Sequence, residues 1–341
     1  MKDKINIGQL LFLIFSFFVM WGMFAGNFYN DDYFYYESEF DAGDLSRLEE
    51  LNIEPLYTYL IYYTKQLFNF KDYVEFKAVI SFFFMIPYWY TIARWSEKPS
   101  WTVLVFAPIF LLQIIIVRNF LGFAIMSLAI PLLSAPRRRN LILFGILILV
   151  AEGFHNMMFV YLLCYLSVID IKLFKRPVMY YAVCVAIGVL LGSFAYSLWT
   201  GVSSKYSDIN DEGINNLRMV FGILLLVNYY VLKYIKTHTR DSNNSNVARF
   251  EEYILRLNVI FIGLTIVFAV SVVAIRLFVN LLLFNTIFVV NRLSRKEKMG
   301  PAVPVSLGYL AFWIYYVVVI TLSVQLEEVF KYNYFIMYLV V

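Results

Sequence analysis

Residues 101–139 read WTVLVFAPIFLLQIIIVRNFLGFAIMSLAIPLLSAPRRR, an apolar run with one charged residue, Arg118, before three terminal arginines. As one helix, the run would be roughly 50 Å long, whereas the hydrocarbon core of a bilayer is about 30 Å thick. Basic residues also precede the run, at Arg94 and Lys98. Both ends are therefore expected on the cytoplasmic side of a membrane. The run predicts a helical hairpin that turns near Arg118.

Two other long apolar runs follow the same plan. Residues 141–171 are interrupted by polar residues between Glu152 and Asn156, and residues 256–291 are interrupted at Arg276. Each run is flanked by basic residues, so each should start and finish in the cytoplasm. The turns would then bring four ionisable side chains to about the same depth: Arg118, Glu152, His155 and Arg276.

The composition extends this interpretation to the whole chain. Of the 341 residues, 61% are hydrophobic and 15% are charged, whereas soluble domains carry about 25% charged residues. We expect an all-α polytopic membrane protein that forms a single integral membrane domain, residues 1–341, with about 11 transmembrane helices. The expected spans are 7–28, 76–93, 101–117, 119–135, 141–152, 156–171, 178–199, 218–235, 257–275, 277–291 and 303–324.

The distribution of charge predicts the topology. With the N-terminus in the cytoplasm, 19 of the 28 lysines and arginines fall in inner segments and seven in outer segments. The net charge of +4 is therefore mostly a topology signal, and no nucleic-acid partner is expected. Residues 30–75 should form an acidic outer loop with an interfacial or re-entrant segment. Residues 236–253 should form a cytoplasmic loop.

The sequence lacks the signatures of several common sites. Cys164 and Cys184 both lie inside apolar runs without metal-ligand spacing, and no glycine-rich nucleotide motif is present. We therefore expect no metal and no cofactor, so the energy for a reaction would come from an activated substrate. The first apolar run, 7–28, exceeds the length of a signal-peptide core and is expected to stay as the first span.

The ionisable residues in the apolar runs indicate a functional site. Such groups are costly in a bilayer and usually face a cavity or a partner. Arginine suits phosphate, so Arg118 and Arg276 would suit a lipid diphosphate. His155, Asp31 or Glu152 could remove a proton from a sugar hydroxyl. We favour His155 as the base, with Glu152 three residues earlier orienting its ring.

Less specific interpretations of the same residues stay open. The tips of the hairpins could simply reach the outer headgroups. Arg276 could pair with Glu152 and hold two hairpins together, and His155 could be a buried imidazole with satisfied hydrogen bonds.

Several short motifs, in order along the chain, resemble those of the EpsG/Wzy group of polysaccharide polymerases. The segment Val117-Arg118-Asn119-Phe120-Leu121-Gly122 resembles its R-x-x-[LI]-[AG] element. Ala151-Glu152-Gly153-Phe154-His155-Asn156 resembles its A-x-x-F-H-x-[ST] element, with Asn156-Met157 departing from the usual small hydroxyl residue. Asp31-Asp32-Tyr33, Glu54-Pro55-Leu56-Tyr57 and Ile275-Arg276-Leu277 resemble further elements. The resemblance covers about residues 30–290.

The resemblance implies a GT-C-like glycosyltransferase in the bacterial cytoplasmic membrane, with its N-terminus in the cytoplasm and its site facing outward. Its substrate would be an undecaprenyl-diphosphate-linked oligosaccharide, in contact with membrane lipids. Its products would be exopolysaccharide, capsule or O-antigen, and its partners the flippase and the chain-length regulator of that pathway. Besides the residues that could act as base, the candidate substrate-binding residues, from the topology and the motifs together, are Arg118, Arg276, Arg218, Asp32, Asn119, Asn156, Tyr33 and Glu54.

Two other functions fit part of the pattern. A flippase for lipid-linked glycans would also have many spans and cavity arginines, but transporters often consist of two repeated halves, and no clear half-repeat occurs here. A membrane acyltransferase that modifies sugars could use His155 as base, but it would need a second acidic or histidine partner. His238 is expected on the inner side and would not supply it.

Overall fold

The computed structural model describes residues 6–30, 32–42, 44–46, 54–199, 212–266, 275–295, 300–321 and 326–340, with only the backbone at 189–199, 212–221, 275, 320–321, 326 and 339–340. This part of the chain is built from helices and contains no β-strand. The α-helices are α1 (Ile7–Gly26), α2 (Tyr33–Ala42), α3 (Pro55–Phe68), α4 (Tyr73–Trp95), α5 (Pro99–Phe110), α6 (Leu112–Ile115), α7 (Val117–Ala129), α8 (Arg138–Glu152), α9 (Pro177–Trp199), α10 (Glu212–Thr237), α11 (Ser245–Phe261), α12 (Ile275–Ser294), α13 (Ala302–Tyr315), α14 (Leu326–Lys331) and α15 (Tyr334–Val340). Residues Asn156–Val168 form a long 3₁₀ helix.

Within these described residues, five helices are long and apolar enough to cross a membrane. They are Ile7–Gly26, Tyr73–Trp95, Val117–Ser134, Arg276–Ser294 and Ala302–Val319. Shorter apolar helices span Pro99–Phe110, Asn156–Val168 and Pro177–Gly188. An all-helical fold with five candidate membrane spans is therefore confirmed for the described part, and the total of about 11 spans stays a prediction.

Local sequence signals set several helix ends. The Asn6 side chain accepts a hydrogen bond from the backbone N–H of Gln9 (2.7 Å), which caps the start of α1. Asp72 caps α4 in the same way, by accepting from Glu75 N (2.9 Å). Pro99 occupies the first position of α5, where its missing N–H removes no helical hydrogen bond. Such caps satisfy backbone donors that the helix itself leaves unpaired.

The first predicted hairpin is confirmed. Glu97, just before α5, donates its backbone N–H to Asn291 (2.7 Å) near the end of α12, and Gln113, just after α5, donates to Asn280 (3.0 Å) near its start. The helix is broken at Ile116, whose backbone (φ −100°, ψ 65°) is not helical. From there α7 returns alongside α4, so the chain reverses direction just before Arg118.

The return of α7 is fixed by side chains of α4. The Tyr88 hydroxyl donates to the carbonyl of Phe120, and the Thr91 hydroxyl donates to the carbonyl of Ser127, both at 3.0 Å. Since the later residue of α4 contacts the later residue of α7, the two helices run parallel. We call the end of the bundle that carries Arg118 the Arg118 end.

The chain also reverses direction in the second predicted hairpin, and the described helices of the third run in opposite directions. The Tyr165 hydroxyl donates to the carbonyl of Leu141 (2.6 Å), so the 3₁₀ helix runs back along α8. Asn258 of α11 and Asn285 of α12 exchange hydrogen bonds of 2.7 and 3.1 Å. Glu251, earlier in α11, pairs with Arg292, later in α12, so these helices are antiparallel. The turn between α11 and α12 falls in residues 267–274, outside the described residues.

Ion pairs hold the opposite end of the bundle together. The carboxylate of Glu251 is fully buried and lies 2.7 Å from Arg292 and 2.5 Å from Arg295. Arg295 also pairs with Glu97 (2.9 Å), between α4 and α5. We call this end the Arg292 end. A carboxylate buried between two guanidinium groups is compensated, whereas either charge alone would be costly there.

Two predicted loops contain more helix than expected. The outer loop, 30–75, includes α2 and α3, and α3 at 14 residues is too short to span a bilayer. The predicted loop 236–253 is shorter in the structure, because α10 continues to Thr237 and α11 begins at Ser245. The earlier start follows from the Asn244 side chain, which accepts from Asn246 N (3.0 Å) and caps the helix.

Candidate functional site

Arg118 lies at the second position of α7, directly after the break at Ile116. Its Nη1 lies 2.7 Å from Oε2 of Glu54 and 3.7 Å from Oε1 of Glu39. The guanidinium group also lies 5.5 Å from the centre of the Tyr36 ring. Two carboxylates and an aromatic face therefore surround this arginine, and such partners compensate a charge held away from bulk water.

The same glutamate contacts the histidine of the second hairpin. Oε1 of Glu54 lies 3.2 Å from Nδ1 of His155 and accepts a hydrogen bond from the backbone N–H of Asn156 (3.4 Å). Its other oxygen, Oε2, faces Arg118. Glu54 therefore bridges the turns of the first two hairpins and connects Arg118 with His155.

A backbone contact explains how segments 101 residues apart meet. The N–H of Leu56, in the first turn of α3, donates to the carbonyl of Gly153 (2.8 Å). A Cβ atom added at Gly153 would lie 2.5 Å from Cγ of Leu56, which is closer than real contacts allow. The glycine therefore permits the close approach that places Glu54 against His155.

The second nitrogen of His155 makes no hydrogen bond in the described part of the chain. Nε2 is buried and has no hydrogen-bond partner among the described residues. Because an ionised carboxylate only accepts hydrogen bonds, the contact with Glu54 favours the tautomer with the proton on Nδ1. Nε2 then carries the lone pair and is the ring atom that can accept a hydrogen bond or a proton.

The two carboxyl groups near Arg118 have opposite shifts of pKa. Burial acts to raise the pKa of Glu54, but the hydrogen bond with His155 and the charge of Arg118 outweigh it and lower the pKa to about 2. Burial raises the pKa of Glu39 to about 7, against the opposing effect of Arg118. At neutral pH, Glu54 is therefore fully ionised, while Glu39 is protonated for part of the time.

Arg276 lies in a neighbouring ion pair, with its Nη2 3.9 Å from Oδ2 of Asp32. The phenol of Tyr36 interacts electrostatically with both arginines. Burial raises the pKa of Tyr36 to about 12, and the charges of Arg118 and Arg276 act against that rise. Both guanidinium groups are therefore within electrostatic range of one phenol. The predicted proximity of Arg118 and Arg276 at the same end of the bundle agrees with this geometry.

Buried amides link the helices that carry these arginines. Asn119 donates to Gln113 (3.0 Å) and to Asn280 (3.1 Å), and Asn280 donates back to Asn119 (3.1 Å). Asn119 follows Arg118 in α7, and Asn280 lies one turn after Arg276 in α12. The triad therefore fixes the relative position of α7 and α12 at the Arg118 end.

The predicted site residues fall into several groups. Arg118, His155 and Glu54 are in direct contact, Asn156 joins them through its backbone, and Arg276 pairs with Asp32. Two predicted substrate-binding residues have other contacts: the side chain of Asn119 is part of the amide triad, and Tyr33 is buried against Tyr73. Asp31 and the side chain of Arg218 lie outside the described residues.

The predicted partner of His155 was wrong. Glu152 was expected to orient the imidazole from the same helix face, but Glu54 makes that contact instead. The helix ends at Glu152, and the backbone of His155 is extended (φ −161°, ψ 113°). The three-residue spacing therefore does not place the two side chains on one face. Nor does Glu152 pair with Arg276, whose carboxylate partner is Asp32.

Sequence reasoning missed two residues that face Arg118. Glu39 and Tyr36 both lie on α2, three positions apart, so they share one face of that helix. The available signal was the excess of nine acidic residues over one arginine in 31–54. That excess indicates an acidic segment but does not show which of its carboxylates reaches into the bundle.

The described residues offer no cluster of metal ligands. They contain no group of three or more His, Cys, Asp or Glu side chains that could hold a metal ion. Cys164 and Cys184 are free and buried.

Comparison with known proteins gave one match. The model of the EpsG family matches residues 10–334, which is nearly the whole chain. No curated protein and no solved structure matches the chain. The family match confirms the resemblance of the motifs, and with the apolar helices it indicates a membrane protein of the polysaccharide-polymerase type. Since the match covers so much of the sequence, the chain belongs to the EpsG family.

Proposed function

We propose that this protein polymerises oligosaccharide repeat units carried on a lipid diphosphate, at the outer face of the cytoplasmic membrane. The growing glycan leaves one undecaprenyl diphosphate and joins the sugar of a new lipid-linked unit. The observation that carries the proposal is the contact of Glu54 with both Arg118 and His155, beside the pair of Arg276 and Asp32. This site combines two arginines with a histidine that has a free ring nitrogen.

The arrangement supplies what this reaction needs. A hydroxyl of the incoming unit gives its proton to Nε2 of His155 while its oxygen attacks the anomeric carbon of the growing chain. The bond between that carbon and the phosphate oxygen breaks, and the lipid diphosphate leaves with the electron pair. Arg118 and Arg276 stabilise the charge that develops on the phosphate, and Glu54 stabilises the imidazolium as its Nδ1 partner.

Asp31 is the alternative to His155 as the catalytic base. His155 is favoured over Asp31 because its Nε2 has no partner among the described residues and can accept a proton. Asp31 lies next to Asp32, in the acidic segment where a sugar hydroxyl would arrive. Both alternatives use the same two arginines, so they differ only in the residue that accepts the proton.

The orientation is part of the proposal. The Arg118 end faces outward, the N-terminus and the Arg292 end are cytoplasmic, and about 11 spans form one GT-C-like domain over residues 1–341. The clustering of basic residues around Arg137–Arg139 and Arg292–Lys298 supports this orientation. It would place the acidic helix α2 at the surface from which the glycan is delivered.

Labelling of single cysteines tests this orientation. In a variant in which Cys164 and Cys184 are replaced, we expect a cysteine at position 138 to resist an impermeant maleimide in intact cells. A cysteine at position 35, on the exposed face of α2, should react. The matched control is labelling after permeabilisation, when both should react. Labelling of position 138 in intact cells would contradict the orientation.

The size of the glycan tests the function. Cells that lack the gene should keep single lipid-linked repeat units at the surface and lose long chains, because transport of units continues without polymerisation. Electrophoretic sizing of the surface glycan measures this, and restoring the gene is the control. If the mutant instead loses surface repeat units altogether, the protein is a flippase and the proposal is wrong. Unchanged chain lengths would equally contradict it.

A further inference from the structure

A cavity of about 670 Å³ lies at the Arg292 end, far along the bundle from the Arg118 site. Its walls are the end of the 3₁₀ helix, the last turns of α10 and the middle of α11. Asp241, which lines the cavity, pairs with Arg292 at 2.8 Å. This contact places the cavity at the Arg292 end of the bundle. The proposed reaction uses none of the residues that line it.

The charges of the cavity are unequally compensated. Each of its three carboxylates is held by a cation: Asp170 by Lys175 (2.9 Å), Asp241 by Arg292 (2.8 Å) and Glu252 by Lys236. Lys233 and Arg256 also line the cavity. Among the described residues, neither has a carboxylate within ion-pair distance. Both are exposed, so two cations from neighbouring helices are available to an anion.

The remaining wall is apolar. Ile169, Phe174 and Val259 line the same cavity, and Ile169 is 56% exposed. A small soluble anion would need the two cations but not this apolar surface. A molecule with a phosphate and an attached hydrocarbon part would use both.

We infer that this cavity binds an anionic phospholipid, with its phosphate between Lys233 and Arg256 and its hydrocarbon part against the apolar wall. Basic pockets between helices at the cytoplasmic side of membrane proteins suit such headgroups. The proposed orientation makes this a lipid of the inner leaflet, although binding itself does not depend on that orientation. Because the lipid contacts α10, α11 and the 3₁₀ helix, it stabilises the folded bundle by mass action.

The test uses the full-length protein in nanodiscs of phosphatidylcholine that contain increasing fractions of phosphatidylglycerol. Native mass spectrometry counts the retained phosphatidylglycerol, and the melting temperature is followed in parallel. The wild type should retain the lipid and melt at rising temperature as its fraction increases. The double variant Lys233→Gln, Arg256→Gln should bind it at least about tenfold more weakly and show little rise.

Two further variants separate this site from general attraction to positive charge. Arg138→Gln with Arg139→Gln removes the same charge from exposed positions at the same end, outside the cavity, and should bind like the wild type. Lys233→Arg with Arg256→Lys keeps both charges and should retain binding. Equal binding by the glutamine variant, or an equal loss in the Arg138 control, would overturn the inference. So would binding of inorganic phosphate without any binding of the phospholipid.

Discussion

Replacing His155 by glutamine should lower chain extension by about 10²–10⁴-fold while leaving the binding of the lipid diphosphate nearly unchanged. Glutamine keeps a donor that can reach Glu54, but it has no basic nitrogen at the position of Nε2. The acceptor hydroxyl would then keep its proton during the attack. Because Arg118 and Arg276 remain, the substrate should still bind.

The measurement uses purified protein with defined lipid-linked repeat units, followed by the lengths and rates of the products. His238→Gln is the matched control, since His238 is exposed and follows α10 at the Arg292 end, remote from the site. It should polymerise at the wild-type rate. If His155→Gln polymerises normally while Asp31→Asn does not, the base is Asp31. His155 would then only help to hold Glu54 in place.

The hairpins could be predicted from the sequence because they follow from two simple constraints. An apolar run too long for one span must break, and basic residues at both ends fix its ends to one side. The breaks at Ile116 and around His155 lie where the predicted turns were placed. The start of α11 at Ser245 could not be predicted from hydropathy, since its first turns are polar and are stabilised by the buried pairing of Glu251.

The partners within the site were harder to predict, because they depend on contacts between distant parts of the chain. Arg118 and His155 are marked by their position in apolar runs. Glu54 is one of nine acidic residues in its segment. The motif Glu54-Pro55-Leu56-Tyr57 singles it out as a site residue, but no sequence pattern pairs it with Arg118 and His155. Its role follows from the contact of Leu56 with Gly153, which only the folded chain shows.

The relation between His155 and Glu152 illustrates the same limit. A spacing of three residues places side chains together only where the helix continues. The helix ends at Glu152, so His155 lies outside it and the spacing of three residues no longer brings the two side chains together. Conversely, the triad of Gln113, Asn119 and Asn280 joins residues that the sequence did not connect, although each lies near a predicted turn.

Replacing Arg118 by lysine should reduce polymerisation by about tenfold or more, through a raised KM for the lipid-linked substrate together with a lowered kcat. Lysine keeps the positive charge beside Glu54, so the ion pair that stabilises the fold is retained. It cannot supply two parallel donors to one phosphate, and this planar fork is what arginine offers. An alanine variant would be less informative, because it would leave Glu54 buried beside His155 without its cation, and that loss is expected to destabilise the fold.

Titration of the rate with substrate separates this prediction from a purely structural role of Arg118. The matched control is Arg138→Lys, an exposed arginine at the start of α8 that should behave like the wild type. Equal melting temperatures of the two variants would show that the fold is intact. If Arg118→Lys then has the same KM and kcat as the wild type, Arg118 serves only as the partner of Glu54. Diphosphate recognition would in that case fall to Arg276, whose carboxylate partner Asp32 lies at the longer distance of 3.9 Å and so leaves its guanidinium easier to redirect to a substrate.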